Sequence, residues 1–289
     1  MKRHILASSL AAIAATTTAF TVGPTKAYAW PEGPLSRGAI ELLNLDSDSD
    51  AYRTKYSEVE AQYNRQAVDY SLDFDDWLTI NSFINHESLA YGTEGAKLQK
   101  LEKLDLDALT WEAGAHGVEA FFVNEGAGYW NQFGYSTSSP SNESLSQFWY
   151  SEDVTTMWSG IASTNSLYAN GGSMTLGEGY EIGNVDAGDT VNFFLKNPYG
   201  HVFDGGTVET TLNTDRLEHV TTYQYKDFLV LAYEDIHYGG DLDYNDVVIA
   251  VRGLVDTTPD IAAVPEPASV LGLLGLGLVS SIVKRKRQS

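Results

Sequence analysis

The chain has 289 residues, of which 39 are acidic, 18 are basic and none is cysteine, for a formal net charge of −21. A disulfide framework, thiolate zinc sites and cysteine nucleophiles are therefore excluded. A balance this acidic opposes binding of nucleic acid or anionic lipid by the whole surface, and it suits divalent cations or plain solubility.

Lys2, Arg3 and His4 precede an apolar and small-residue stretch from Ile5 to Phe20, and Ala27-Tyr28-Ala29 offers the small-x-small pattern that signal peptidase cleaves. The apolar core is too short to span a bilayer. Residues 1–29 thus read as a cleavable signal peptide, with cleavage set by Ala27 and Ala29 and a mature chain beginning near Trp30.

Residues 30–104 read as a mixed, partly helical region. SRGAIELLNL is a first helical stretch, and in AYRTKYSEVEAQYNRQAVDY the residues Tyr56, Val59, Tyr63, Ala67 and Tyr70 recur at the spacing of one helix face. Asp50 is the expected N-cap of that helix, and GAKLQKLEKLDL at 95–106 is expected to be helical as well. Asp46, Asp48 and Asp50 alternate, but Ala51 and Ser57 stand where an EF-hand loop needs Gly and Glu. They read as a solvated loop, as do Asp73, Asp75 and Asp76. Nothing in this region carries chemistry beyond a helical cap or spacer.

From about residue 105 the texture turns to β. VEAFFVN, YWNQFGYS, TVNFFLKN, HVTTYQY, DFLVLAYE and NDVVIAV are short runs rich in Val, Phe, Tyr and Thr, punctuated by Gly, Asn, Asp and Pro. Such strands without intervening amphipathic helices predict a mainly β fold, an antiparallel sandwich or jelly-roll-like domain over 105–253. A polar linker follows at 254–264.

Within that region, LTWEAGAHGVEAFFVNEGAGYWNQFGYST at 109–137, VNFFLKN at 191–197 and FLVLAYEDIHYGGDLDYNDVVIAV at 228–251 occur in a characteristic order. This pattern resembles domain of unknown function 4114, a bacterial secreted and cell-surface module often found in large calcium-dependent surface proteins. The resemblance implies location and fold rather than a reaction.

The segment between two apolar runs, Glu234 to Asp246, is the densest in oxygen side chains. In an extended stretch Asp241, Asp243 and Asn245 would point to one side, with Leu242 and Tyr244 on the other. Together with Glu234, Asp235 and Asp246 they form a candidate calcium site, since calcium takes six to eight oxygens in flexible geometry. It is not an EF-hand: position six is Asp246 and position twelve is Arg252. The competing reading is a turn made by Gly239-Gly240, with the Asp and Asn side chains bonded to nearby backbone amides.

Catalytic signals are sparse. His86-Glu87 lacks the second His of a zincin helix, and no Gly-x-Ser-x-Gly elbow or phosphate-cradling loop is present. No catalytic residue is assigned, and the expectation is a protein that is not an enzyme, with a hydrolase as remote alternative. His201, His219 and His237 could meet in space. In NEGAGYWNQFGY, Tyr129, Trp130 and Tyr135 are candidate glycan contacts, so that a carbohydrate-binding, lectin-like module is the alternative of a different class.

The chain ends in Pro265-Glu266-Pro267, an apolar Gly/Leu run over 268–283 and the basic cluster Lys284, Arg285, Lys286 and Arg287. Sixteen residues at about 1.5 Å each make a helix of about 24 Å, slightly under the bilayer core. The basic end would stay cytoplasmic. Triplet, helix and basic end in this order closely resemble the PEP-CTERM sorting signal of Gram-negative bacteria. That resemblance implies signal peptidase and an exosortase, an intramembrane cysteine protease, as processing partners. The helix would rest in the inner membrane before processing, or stay as a permanent anchor. Taken together, the sequence predicts an exported cell-surface or extracellular-matrix protein, structural or adhesive in role. Calcium is its one possible cofactor and extracellular polysaccharide a possible partner; nucleic acid is not.

Overall fold

A computed structural model describes residues 34–89, 101–104, 111–139, 144–161, 163–167, 172, 174–183, 185–205 and 212–256. The signal peptide with Ala27 and Ala29, the Pro265–Pro267 triplet, the 268–283 run and the 284–287 cluster lie outside the described residues. Among the described residues no helix is long and apolar enough to cross a membrane.

Three helices come first: α1 (Pro34–Leu43), α2 (Asp50–Gln66) and α3 (Phe74–Leu89). The N-cap of α2 is Ser49, not Asp50. The Ser49 side chain accepts the Tyr52 N–H at 3.0 Å, which leaves Asp50 in the first turn, where its charge complements the helix dipole. The helix is also shorter than its periodicity predicts. It ends at Gln66, and only Val59 and Tyr63 of the expected face are buried. The helix α3 is not apparent from periodicity, yet it carries Trp77, Ile80, Phe83 and Ile84 into the core.

Among the described residues, twelve strands and one short helix follow: β1 (Glu102–Lys103), β2 (Trp111–Ala113), β3 (Val118–Asn124), β4 (Asn131–Ser136), α4 (Leu145–Trp149), β5 (Thr155–Ile161), β6 (Gly179–Ile182), β7 (Asn192–Lys196), β8 (Val202–Asp204), β9 (Val220–Tyr225), β10 (Phe228–Tyr233), β11 (Val247–Arg252) and β12 (Leu254–Asp256). Residues 102–103 therefore belong to a strand, paired with Tyr223 and Gln224, and not to the helix expected over 95–106. Here pairing to a sheet edge overrides a helix-favouring composition.

Among the described residues every strand pairing is antiparallel. A six-stranded sheet runs β1-β9-β10-β11-β3-β6, a four-stranded sheet runs β5-β4-β7-β8, and β12 pairs with β2. In the large sheet, Tyr223, Val230, Ala250 and Phe121 form one cross-strand row, and Thr222, Leu231, Ile249 and Phe122 form the next. Successive rows face opposite sides. The first row meets the helical layer, with Phe83 of α3 edge-on to Tyr223 and Tyr70, in the α2–α3 connection, against Phe121. The other side meets the small sheet, through Phe122 against Trp158 and Tyr233 against Phe133.

The large sheet is thus covered on both faces. This explains why FLVLAY and VVIAV read as continuous apolar runs: every residue of β10 is buried. The helices are a layer of this core, and the Trp77 indole N–H donates to the Val123 carbonyl at 2.9 Å.

Candidate metal centre

β10 and β11 form a hairpin with Tyr233 opposite Val247, so their connection is residues 234–246. The ladder extends one rung beyond the strands. The Glu234 N–H donates to the His219 carbonyl at 2.9 Å, and the Asp246 N–H to the Tyr233 carbonyl at 3.1 Å. At the end of β3, the Gly126 N–H is shared between the carbonyls of Asn245 (2.9 Å) and Asp246 (3.1 Å). Pinned this way, Glu234, Asp235, Asn245 and Asp246 are buried, while Asp243 is half-buried and Asp241 exposed.

The loop is not the extended stretch that the alternation of acids suggests. Tyr238, Leu242 and Tyr244 have φ of 76°, 61° and 51°, and Gly239 and Gly240 have 85° and 39°. Non-glycine residues in the left-handed region cost about 1–2 kcal/mol each and persist where surrounding contacts impose them. The repeated left-handed steps coil the chain, and the carboxylates converge by coiling rather than by alternation.

They converge as two triads that share Glu234. Carboxylate oxygens of Glu234, Asp235 and Asp246 lie within 4.8 Å of one another, and so do those of Glu234, Asp241 and Asp243. Several of these side chains also hold backbone amides. Glu234 Oε2 accepts the Leu242 N–H at 3.1 Å, Asp246 Oδ2 the Asp235 N–H at 2.8 Å, and Asp243 Oδ1 the Asn245 N–H at 3.4 Å. The hydrogen bonds of the turn do not use up the carboxylates: amides occupy one oxygen of a carboxylate and leave the other. Glu234 Oε1 and Asp235 Oδ1 are left buried without a hydrogen-bond partner.

Burial, and then crowding, perturbs four of these acids. Burial pushes the Glu234 carboxyl up to about 9, with Asp246 the largest neighbouring charge, and pushes Asp235 up to about 7. Asp243 is raised to about 6 by burial and by Asp241, and Asp246 is raised well above the carboxylate range by burial and by Asp235. Each shift reports a charged form short of solvent or of a counter-charge.

Residues far away in the chain complete the surroundings, and sequence reasoning did not find them. Asn131 on β4 donates to Asp235 Oδ2 at 2.7 Å, and Asn197 after β7 donates to the Asp235 carbonyl at 2.9 Å. Both sit at strand ends with composition no different from ordinary turn asparagine. Beside the loop, the three histidines do gather. His201 and His237 stack with ring centres 4.2 Å apart, and buried His219 places Nε2 2.8 Å from Asp215 Oδ2 and Nδ1 3.1 Å from the Glu234 carbonyl. Asp215 Oδ2 also accepts the Tyr238 N–H at 2.7 Å, tying this cluster to the acidic loop.

The aromatic candidates separate. Tyr135 is buried and its hydroxyl donates to the Gly183 carbonyl, so its ring is not open to a sugar. Trp130 is exposed, and Tyr129 is half-buried and edge-on to exposed Tyr199, 5.2 Å between ring centres.

Residues 185–253 match the family model of a domain of unknown function (DUF4114), and residues 263–288 match that of the PEP-CTERM protein-sorting motif. The first match covers β7 to β11 and contains the whole acidic loop. No curated protein and no solved structure matches the chain. The sorting motif marks the chain as an exported, envelope-associated protein that an exosortase processes.

Proposed function

We propose that the exported body is a structural or adhesive surface module whose β10–β11 loop is clamped by calcium. One observation carries this reading: Glu234 Oε1 and Asp235 Oδ1, both fully buried, have no hydrogen-bond partner and converge with Asp246. A buried, unpartnered carboxylate is expensive, and two such charges about 4 Å apart repel by about 4 kcal/mol at an effective dielectric of 20. A cation reverses the sign of that interaction. The donors are all oxygen, which suits a hard ion rather than zinc or copper, and the mix of fixed and coiled donors suits the flexible geometry of calcium better than the strict octahedron of magnesium.

Calcium would join β10, β11 and the ends of β3 and β4 in a chain that has no disulfides. Calcium sites of extracellular modules are weak, with Kd of about 10⁻⁴–10⁻³ M, and an exported module needs no tighter one where calcium reaches that level. The test is thermal melting of the full chain in calcium and in chelator. A ligand bound only by the folded state raises the melting temperature by mass action, so the calcium sample should melt higher and Glu234→Gln should lose the difference. Equal melting of the wild type in both conditions would rule the clamp out.

A carbohydrate-binding role is the second reading, supported by exposed Trp130 and Tyr199 beside Tyr129 on one edge. Glycan binding that survives Trp130→Ala together with Tyr199→Ala would exclude that edge.

A further inference from the structure

The carboxylates of the acidic loop are arranged in two groups. Two ligands on opposite sides of one calcium lie about 4.6–5.2 Å apart, because each bond is 2.3–2.6 Å. The 4.8 Å groupings are Glu234 with Asp235 and Asp246, and Glu234 with Asp241 and Asp243. Among the described residues no third grouping joins Asp241 or Asp243 to Asp235 or Asp246. The two triads share only Glu234, which is placed to serve two centres.

Resting on the calcium reading above, we propose that the loop holds two calcium ions bridged by the Glu234 carboxylate: an inner ion on Asp235 and Asp246 and an outer ion on Asp241 and Asp243. Charge supports the number. Five carboxylates carry five negative charges, so one divalent ion leaves three uncompensated in a largely buried loop, whereas two leave only one. Oε1 of Glu234 has no hydrogen-bond partner to compete with the bridge, and the lack of a side chain at Gly240 lets the carboxylate pack there: a Cβ would fall 1.8 Å from Oε1.

The two ions differ in access. Asp235 and Asp246 are closed off from solvent by β3, β4 and the ladder, so the inner ion is a slowly exchanging structural one. Asp241 is exposed and Asp243 half-buried, so the outer ion exchanges with the medium and is removed first by a chelator.

The experiment counts calcium on the full chain by native mass spectrometry and equilibrium dialysis, with calcium alone as the probe. The wild type should bind two ions. Asp243→Asn should bind one and keep most of the rise in melting temperature, whereas Glu234→Gln should bind none. The wild-type count decides the matter even where a variant folds poorly. A wild type that binds one ion would overturn the bridged pair and leave the calcium clamp standing; a wild type that binds none would overturn both.

Discussion

Glu234 occupies the space that a side chain at Gly240 would need: a Cβ built there falls 1.8 Å from Glu234 Oε1 and 2.5 Å from its Cδ. Gly240 also has φ of 39°, so the position rejects a side chain on conformational grounds as well. Gly240→Ala should lower stability by at least about 1–2 kcal/mol, a fall of roughly 2–8 °C in melting temperature. It should also weaken the response to calcium, because the displaced group is the shared carboxylate. Gly239→Ala is the comparison, since a Cβ there meets only the flexible ends of Leu242 and Leu217 at 3.2 and 3.5 Å. Equal calcium responses in the two variants would count against the packing of Glu234 on Gly240.

The pH dependence of the chelated protein has a defined sign. Glu234 and Asp235 are raised to about 9 and about 7 from ordinary values of 4.5 and 3.8, with burial the first cause in both. The folded chain therefore holds these protons more tightly than the unfolded chain, and stability falls wherever the unfolded state has released them and the folded state has not. Their contribution is intact below about pH 4 and is lost as pH rises towards 9. Scanning calorimetry in chelator should show a melting temperature that declines from pH 5 to pH 9, with a shallower decline in Glu234→Gln. A flat wild-type profile would contradict the burial of these acids.

The helical layer should behave as part of the β core. Trp77 is fully buried, stacks on Tyr63 at 5.0 Å and donates to the Val123 carbonyl. Trp77→Ala should cost about 3–5 kcal/mol in urea unfolding, and it should destabilise helix and sheet signals together. A separate early transition confined to the helical signal would show that the helices are not coupled to the sheet.

The β character was legible because its strands are strongly apolar and separated by turn residues. VEAFFVN, FLVLAY and VVIAV lie where their composition predicts. The helix α3 was not, because FDDWLTINSFINHESL mixes Thr, Ile and Phe with Asn and buries a broad face, which gives no clean period. The ligand candidates of the acidic loop were legible as a set, but their geometry was not. Left-handed Leu242 and Tyr244 leave no mark on composition. Asn131 and Asn197 reach Asp235 from 104 and 38 residues away, and only the fold brings them there.

The targeting segments make a cellular prediction. The tail carries the sorting motif, and residues 1–29 are expected from their sequence to direct export. Deleting Val264–Ser289 should leave the protein exported and lost to the medium, as fractionation and immunoblotting would show. Undiminished retention at the envelope would contradict a sorting role for the tail.

The central claim is that the buried oxygens of Glu234, Asp235 and Asp246 meet on a cation. Anomalous diffraction from crystals grown in calcium tests it directly. A calcium peak is expected between these three carboxylates, with Glu234 Oε1 and Asp235 Oδ1 at about 2.3–2.6 Å. An ion-free loop at saturating calcium, with the acids protonated and hydrogen-bonded to one another, would contradict it.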